Sequence, residues 1–222
     1  MYLTAILLAA GRGLRLKSKT PKPLVNLDSL PMISYSLKKL SRDPRVKDIV
    51  VVVNPDNSKS ITKQISKHHI RKVKRIVFGG KRRQDSVARG LKALDRRTDL
   101  VLIHDAARPF FNEKLIPILS RQAKKCGAAI LGVPVKATVK RVRQSLVVAE
   151  TLDRGELWEI QTPQVFKKDL ILKAYKRFGH AEVTDDASLV EKLGVKVAVV
   201  MGSYLNIKIT TPEDLVVAKA IA

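Results

Sequence analysis

Ile49 is followed by four consecutive valines, Val50 to Val53, and this run constrains the fold more than any other stretch of the chain. β-branched side chains lose rotamer freedom in a helix and fit a pleated surface well. An unbroken apolar run, instead of an alternating one, marks a strand covered on both faces. Similar short runs recur at Ala5–Ala9, Val73–Phe78, 100–103, 128–133 and 195–200. Between them apolar residues fall at helical spacing, as at Ile33, Leu37 and Leu40, and again at Val87, Leu91 and Leu94 within 85–94. A polar helix is predicted over 57–67, another helix over 112–125, and a short strand around Asn206–Ile209. Thr211 supplies a capping hydroxyl for a last helix, with Pro212 at its first position and Glu213 and Asp214 in its first turn. Strands alternating with helices predict an α/β layer fold with a mostly parallel sheet and right-handed crossovers. Ligands then belong at the carboxyl ends of the strands. Residues 135–156 break the alternation, being polar and extended, and read as an excursion that returns near Leu157-Trp158. With 222 residues, the chain is expected to form one domain over 1–222 carrying that excursion as an arm.

Two strand ends carry the chemistry. After the first run come Ala9, Ala10, Gly11, Arg12 and Gly13, then the cations Arg15, Lys17, Lys19 and Lys22, with Pro21 and Pro23. A strand opening into a glycine-bearing turn with exposed amides and nearby cations suits an oligophosphate. The glycine spacing is not a dinucleotide fingerprint, because Leu16 stands where the third glycine belongs, and no Walker loop is present. Taken alone, this stretch is equally an ordinary tight turn. After the fourth strand comes His104-Asp105-Ala106-Ala107-Arg108-Pro109. An aspartate there is a natural ligand for Mg²⁺, and Arg108 can fork onto a phosphate. The plainer alternative is an Asp–Arg surface pair. Thr184, Asp185 and Asp186 are as readily a helix cap with first-turn acids as ligands.

The net charge is +23, unevenly placed. Residues 1–100 hold 24 Lys and Arg against 7 Asp and no Glu, a surplus of 17; the remainder holds 19 against 13, a surplus of 6. Anionic substrates would be steered by such a field, and nucleic acid held non-specifically. Aromatic content of 5% and the lack of a recognisable motif argue against a specific nucleic-acid partner. Arg71, Lys72, Lys74, Arg75, Lys81, Arg82 and Arg83 read as a solvated face. The single cysteine, Cys126, excludes an internal disulfide and fits a reducing, cytoplasmic setting. It falls at an expected helix end and reads as structural. The apolar start YLTAILLAA lacks a positive leader and runs into the glycine turn, so it is read as a strand; no run approaches membrane-spanning length. His68, His69, His104 and His180 have no evident nucleophile partner.

Read as whole strings, these segments resemble one family. A-A-G-x-G-x-R followed by P-K-P-L resembles the signature loop of nucleotidyltransferases that activate sugar or polyol phosphates. HDAARP is similar to the motif of the 2-C-methyl-D-erythritol 4-phosphate cytidylyltransferases of the non-mevalonate isoprenoid route. Gly79 to Val87 resembles that family's base-reading segment, and Val133-Pro134-Val135 with Thr138, Lys140 and Arg141 its dimer arm. Thr151 to Arg154 with Leu157-Trp158, Gln161 to Gln164, Thr184 to Ser188 and Asn206 to Thr210 follow in the same order, so the likeness runs from about residue 3 to 221. The family commonly has Asp at Lys81 and Gln at Pro23.

The resemblance implies a Rossmann-like three-layer nucleotidyltransferase fold, a homodimer joined by the extended β-arm, and attack of an acceptor phosphate on the α-phosphorus of CTP with pyrophosphate leaving. It implies that Arg15 and Lys22 stabilise the five-coordinate phosphorus, that Arg154 and Lys208 hold the acceptor phosphate, and that Asp105 holds Mg²⁺. Ala9, Ala10, Gly11, Gly13, Gly80, Ser86, Asp105 and Ala106 would bind the nucleotide. Arg108, Thr138, Arg154, Thr162, Thr184 and Lys208 would bind the acceptor, with Thr138 and Arg154 reaching the partner subunit's site. A ribitol-5-phosphate cytidylyltransferase shares most of these motifs, and the charge leaves a weakly catalytic nucleic-acid-binding domain as a reading of another class.

Overall fold

A computed structural model describes residues 1–222. Its elements are β1 (Leu3–Ala9), β2 (Asn26–Leu27), β3 (Leu30–Pro31), α1 (Met32–Arg42), β4 (Val46–Val53), α2 (Pro55–Lys67), β5 (Val73–Phe78), α3 (Arg83–Lys92) and β6 (Leu100–Asp105). They continue with α4 (Ile116–Cys126), β7 (Ala128–Pro134), β8 (Val139–Val142), β9 (Val148–Leu152), β10 (Trp158–Lys167), α5 (Lys168–Phe178), α6 (Ala187–Glu191), β11 (Ala198–Met201) and α7 (Pro212–Ile221). Seven strands form one sheet in the order β11-β7-β10-β6-β1-β4-β5, and only β10 runs against the rest. The α/β, mostly parallel reading therefore holds.

Strand period sorts the core into two layers. Leu3, Ala5, Leu7 and Ala9 of β1, with Ile49, Val51 and Val53 of β4, face α1, α2 and α4. Ile6, Val50 and Val52 face α3, α5 and α6 on the other side. Each fully buried Val, Leu or Ile contributes on the order of 1.5–3 kcal/mol, which is why the runs legible in the sequence are the middle of the sheet. From β1 the chain steps outward to β4 and β5, then crosses back to lay β6 on the other flank of β1. The strand order reverses between β1 and β6, and the loops leaving those two strands diverge there to open a crevice.

Capping places several boundaries. Asn54 accepts from the Asn57 amide at 2.9 Å and Asn57 returns the bond at 3.1 Å, so α2 begins at Pro55, two residues before the expected start. Thr211 and Asp214 form the same reciprocal cap at α7. Asn112 caps a short 3₁₀ turn at Glu113–Leu115, and α4 itself starts at Ile116. Cys126 is the last residue of α4, as expected.

Four expectations need correction. His104 and Asp105 lie inside β6 instead of after it. Asn206–Ile209 is not a strand: its one sheet-like bond runs from the Ile209 amide to the Ala107 carbonyl, and side chains hold the rest. The last strand begins at Ala198, because Val195 packs against the α5 and α6 layer instead of pairing. The segment after Leu157 holds β10, the antiparallel strand between β6 and β7, and α5 and α6 follow it; alternation alone did not reveal these. The excursion is the hairpin β8–β9, a sheet of its own. Its apolar side chains Val142, Leu146, Val147 and Val148 are exposed.

Candidate active site

Two cavities open at the carboxyl ends of the strands. The larger, about 1110 Å³, lies over β1, β4, β5 and β6 and is lined by the Ala9–Arg15 turn, Lys22 and Gly79–Arg83. The smaller, about 520 Å³, lies beside it, lined by β10 residues including Thr162 and by Thr184, Asp185 and Ser188. Arg83, Asp105 and Lys208 line both. They form the wall between the cavities.

The first turn is set by backbone conformations that only particular residues accept. Gly13 has φ +66°, in the left-handed region, and starts a 3₁₀ turn over Leu14–Leu16 that buries Leu16 and leaves Arg15 exposed toward the larger cavity. A second short turn, Lys22–Leu24, brings Lys22 to the same space. On the opposite rim the Gly80 amide donates to Ser86 Oγ at 3.1 Å, and Ser86 donates to the Arg82 carbonyl at 3.2 Å. A Cβ on Gly79 would stand 2.4 Å from Ala10 Cβ, so the two glycine-bearing turns approach too closely for a side chain there.

The wall is built from ion pairs around one buried carboxylate. Asp105 Oδ1 accepts from Arg83 Nε at 3.0 Å, and Asp105 Oδ2 pairs with Lys208 Nζ at 2.8 Å. Burial pushes the Asp105 carboxyl up, but the two cations outweigh it and hold the group well below the usual carboxylate range. Lys22 is lowered to about 8 by burial and then by Lys208, with Asp105 partly offsetting both. Lys208 gets here because the segment before it is pinned. Asn206 Nδ2 donates to Gln161 Oε1 and to the Thr162 carbonyl, both at 3.0 Å, and Gln161 Nε2 donates to the Ser203 carbonyl at 2.9 Å. Lys208 therefore lies on a pinned loop and not in a strand. Its side chain is 43% exposed and held by a carboxylate.

Thr162 and His104 stand behind Asp105. The register of β10 shifts between Gln161 and Gln164, a bulge that turns Thr162 toward β6. Thr162 Oγ1 accepts from the Asp105 amide at 3.1 Å and lies 3.0 Å from His104 Nδ1. His104 Nε2 lies 3.1 Å from the Arg108 carbonyl and 3.3 Å from Ser36 Oγ. The arrangement is satisfied if Thr162 donates to Nδ1 and the Nε2 proton goes to the carbonyl. Burial lowers His104 to about 3, so the ring is neutral. It lines neither cavity and is a structural residue.

Among the expected site residues, Ala9, Ala10, Gly11, Gly13, Arg15, Lys22, Gly80, Ser86, Asp105, Ala106 and Lys208 all line the larger cavity. Arg108, Thr162, Thr184 and Lys208 line the smaller. Arg108 is not free to fork, however: it donates to the Asn206 carbonyl at 2.6 Å and to the Ile160 carbonyl at 3.3 Å. Asp185 caps the Ser188 amide at 3.1 Å, so the capping alternative holds for Asp185, while Thr184 is exposed to the cavity. Thr138 is exposed at the base of the arm, and Arg154, also exposed, donates to the Lys136 carbonyl. Neither lines either of these two cavities.

The expected solvated face is only partly that. Lys81, Arg82 and Arg83 line the larger cavity, and Arg83 is bound by two carboxylates. Sequence reasoning also passed over Arg12 and Arg89, which line the same cavity. The available signal was position for four of the five, Arg12, Lys81, Arg82 and Arg83, which follow a strand's carboxyl end or open the helix after it; Arg89 lies in the last turn of α3 and carried no such signal.

No cluster of three or more His, Cys, Asp or Glu side chains could hold a metal ion by itself. Asp105 is the one carboxylate lining both cavities. This donor set fits Mg²⁺ in the way that ion is usually held beside phosphates, by one or two carboxylates with substrate oxygens completing the shell.

A doubly wound sheet with a glycine-flanked, cation-lined cleft at its switch point is an α/β nucleotidyltransferase-like fold. The family model described as IspD, 2-C-methyl-D-erythritol 4-phosphate cytidylyltransferase, matches residues 3–222. The chain is 44% identical over 223 residues to the enzyme of that name from Halalkalibacterium halodurans, covering all of this chain and 97% of the other. It is 45% identical over 224 residues to that from Geobacillus thermodenitrificans, again with 100% and 97% covered. The crystal structure of 4-diphosphocytidyl-2C-methyl-D-erythritol synthase from Anaerococcus prevotii superposes with a TM-score of 0.87 at 35% identity, covering 99% of this chain and 95% of that one. The Francisella tularensis 2-C-methyl-D-erythritol 4-phosphate cytidylyltransferase structure gives 0.83 at 32% identity with full coverage of both. The chain belongs to the 2-C-methyl-D-erythritol 4-phosphate cytidylyltransferase family.

Proposed function

We propose that the protein joins CTP and 2-C-methyl-D-erythritol 4-phosphate into 4-diphosphocytidyl-2-C-methyl-D-erythritol and pyrophosphate, a step of isoprenoid precursor biosynthesis. The observation that carries the reading is the shared wall: two cavities meet at Arg83, Asp105 and Lys208, so two phosphorylated molecules can meet there. CTP takes the larger cavity, its triphosphate in the Ala9–Arg15 turn and its base toward Gly80 and Ser86. The acceptor takes the smaller, with its phosphate beside Lys208. The attacking phosphate oxygen is already an anion, so no general base is needed. Catalysis is positioning and neutralisation of charge as phosphorus becomes five-coordinate, the work of Arg15 and Lys22. Asp105 would hold Mg²⁺, which when bound neutralises phosphate oxygens. Lys208, paired with Asp105 Oδ2 in the free protein, would exchange that partner for the acceptor phosphate.

Thr138 and Arg154 serve the partner subunit's site in a homodimer joined through the β8–β9 arm. The exposed apolar side chains of that arm support this reading. The setting is cytoplasmic, in keeping with the free Cys126; no helix is long and apolar enough to cross a membrane. Family membership favours neither the ribitol phosphate alternative nor the nucleic-acid one.

The deciding experiment measures pyrophosphate release with CTP, ATP, UTP and GTP against methylerythritol phosphate and ribitol phosphate, with and without Mg²⁺. Turnover should be greatest with CTP and methylerythritol phosphate and vanish with a chelator. Faster turnover of ribitol phosphate would overturn the assignment.

A further inference from the structure

Arg83 opens α3 and reaches into the wall between the cavities. Its Nε donates to Asp105 Oδ1 at 3.0 Å, and its Nη1 donates to Asp186 Oδ2 at 2.9 Å. The Asp186 side chain is 1% exposed, and its other oxygen accepts from the Tyr175 hydroxyl at 2.5 Å. Asp186 lines neither cavity, so it serves the protein and not a ligand. Next to Arg83, Gln84 Nε2 donates to the Gly179 and Ala181 carbonyls at 3.0 and 2.6 Å. Asp185 in turn accepts from Gln164 Nε2 at 2.9 Å and from the Ser188 amide at 3.1 Å. Residues 179–188, which give the smaller cavity Thr184, Asp185 and Ser188, are thereby fastened to the start of α3 and to β10.

The two partners of Asp105 are not equivalent. Lys208 is a point cation on a flexible stem, 43% exposed. Arg83 is 28% exposed and engaged at both ends of a rigid planar fork. Lys208 can swing away to another anion. Arg83 cannot do so without abandoning a buried carboxylate, which is costly.

We propose that Arg83 is a positioning residue for the transfer: one guanidinium holds the Asp105 carboxylate and, through Asp186, the 179–188 wall of the acceptor cavity at a fixed separation. This rests on the two-cavity reading above. The nucleotide and acceptor subsites are registered to each other through this side chain, and Lys208 is left as the exchangeable partner of Asp105. A lysine at position 83 could make either bond but not both. An asparagine at 186 keeps the volume and removes the charge that fixes the guanidinium.

The test compares Arg83→Lys and Asp186→Asn with the wild type in three measurements: kinetics in each substrate, CTP binding by calorimetry, and amide hydrogen exchange over 179–188. In both variants the acceptor kcat/KM should fall about 10–100-fold, the usual cost of losing a residue that orients a ligand-bearing one. CTP affinity should stay within about threefold, and the 179–188 amides should exchange faster. A residue that merely stabilised the fold would lower the melting temperature without separating the two substrates. Acceptor kinetics and 179–188 exchange at wild-type values in both variants would overturn the proposal. So would lost CTP affinity in Arg83→Lys with Asp186→Asn silent, since Arg83 would then be a nucleotide ligand itself. Should Arg83→Lys fail to fold, Asp186→Asn carries the same comparison. A wild type that turns over no acceptor would defeat the proposed function instead, and the exchange data would still decide for or against Arg83.

Discussion

Gly13 and Lys22 lie so close that a Cβ on the glycine would stand 2.5 Å from the Cβ of the lysine. The glycine is thus needed twice over, once for its φ of +66° and once for the space that the lysine stem fills. Gly13→Ala should cost about 1–2 kcal/mol from the left-handed backbone alone. That lowers the melting temperature by roughly 2–4 °C per kcal/mol in a chain of this size. Displacing the Lys22 ammonium should also slow turnover by about 100-fold. Thermal unfolding and pyrophosphate release check both, and wild-type turnover in Gly13→Ala would separate Lys22 placement from catalysis.

Lys22→Ala should reduce turnover by orders of magnitude with little change in stability, since the side chain belongs to no core. In the free protein Lys22 is lowered to about 8, so kcat/KM should decline as pH rises through about 8 while the ammonium is lost. Lys22→Arg should move that decline to much higher pH. The sign for stability is the opposite. Between about 8 and the ordinary lysine value of 10.5 the unfolded chain holds a proton that the folded chain has released, so the destabilisation imposed by the buried, charged ammonium below that window is relieved as pH rises through it. An alkaline limb unmoved in Lys22→Arg would show that another group titrates.

Lys208 and Asp105 act on Lys22 with opposite signs, which gives a paired test. Lys208→Met removes a cation that lowers Lys22, so the alkaline limb of kcat/KM should shift to higher pH. Asp105→Asn removes the carboxylate that raises it, so the limb should shift to lower pH, in whatever activity remains. Shifts in the same direction in both variants would contradict the geometry of the wall.

Thr162 distinguishes support from contact. Its hydroxyl bridges the Asp105 amide and the His104 ring in a buried place, so Thr162→Val leaves polar groups unpaired and should cost about 1–3 kcal/mol. Urea denaturation should read this as a lower midpoint at unchanged slope. An unchanged midpoint with a raised acceptor KM would make Thr162 a direct ligand instead.

The legible parts of this protein are those that a local pattern decides. Val50 to Val53 could be read as a buried strand because β-branching and burial on both faces act residue by residue. The cap of α7 was legible at Thr211 for the same reason, its hydroxyl bonding an amide three residues on. Asp105 was legible as a cavity residue because it ends β6, and Lys22 because it closes the cationic, glycine-bearing segment that follows β1. β10 was not, since Gln161, Thr162 and Pro163 interrupt its pattern and only pairing with β6 and β7 makes it a strand.

The sequence by itself determined the alternation, the central strands, the glycine-bearing turn after β1 and the family to which those strings belong, because short-range sterics and burial are written in adjacent residues. Only the tertiary structure decided which cations are chemical and which are solvated. Arg83 and Arg82 are neighbours in a basic run, yet Arg83 meets Asp105 and Asp186, 22 and 103 residues away, while Arg82 pairs with Asp85 beside it. The role of a charge depends on the charges brought to it across the fold, and no local pattern carries that information.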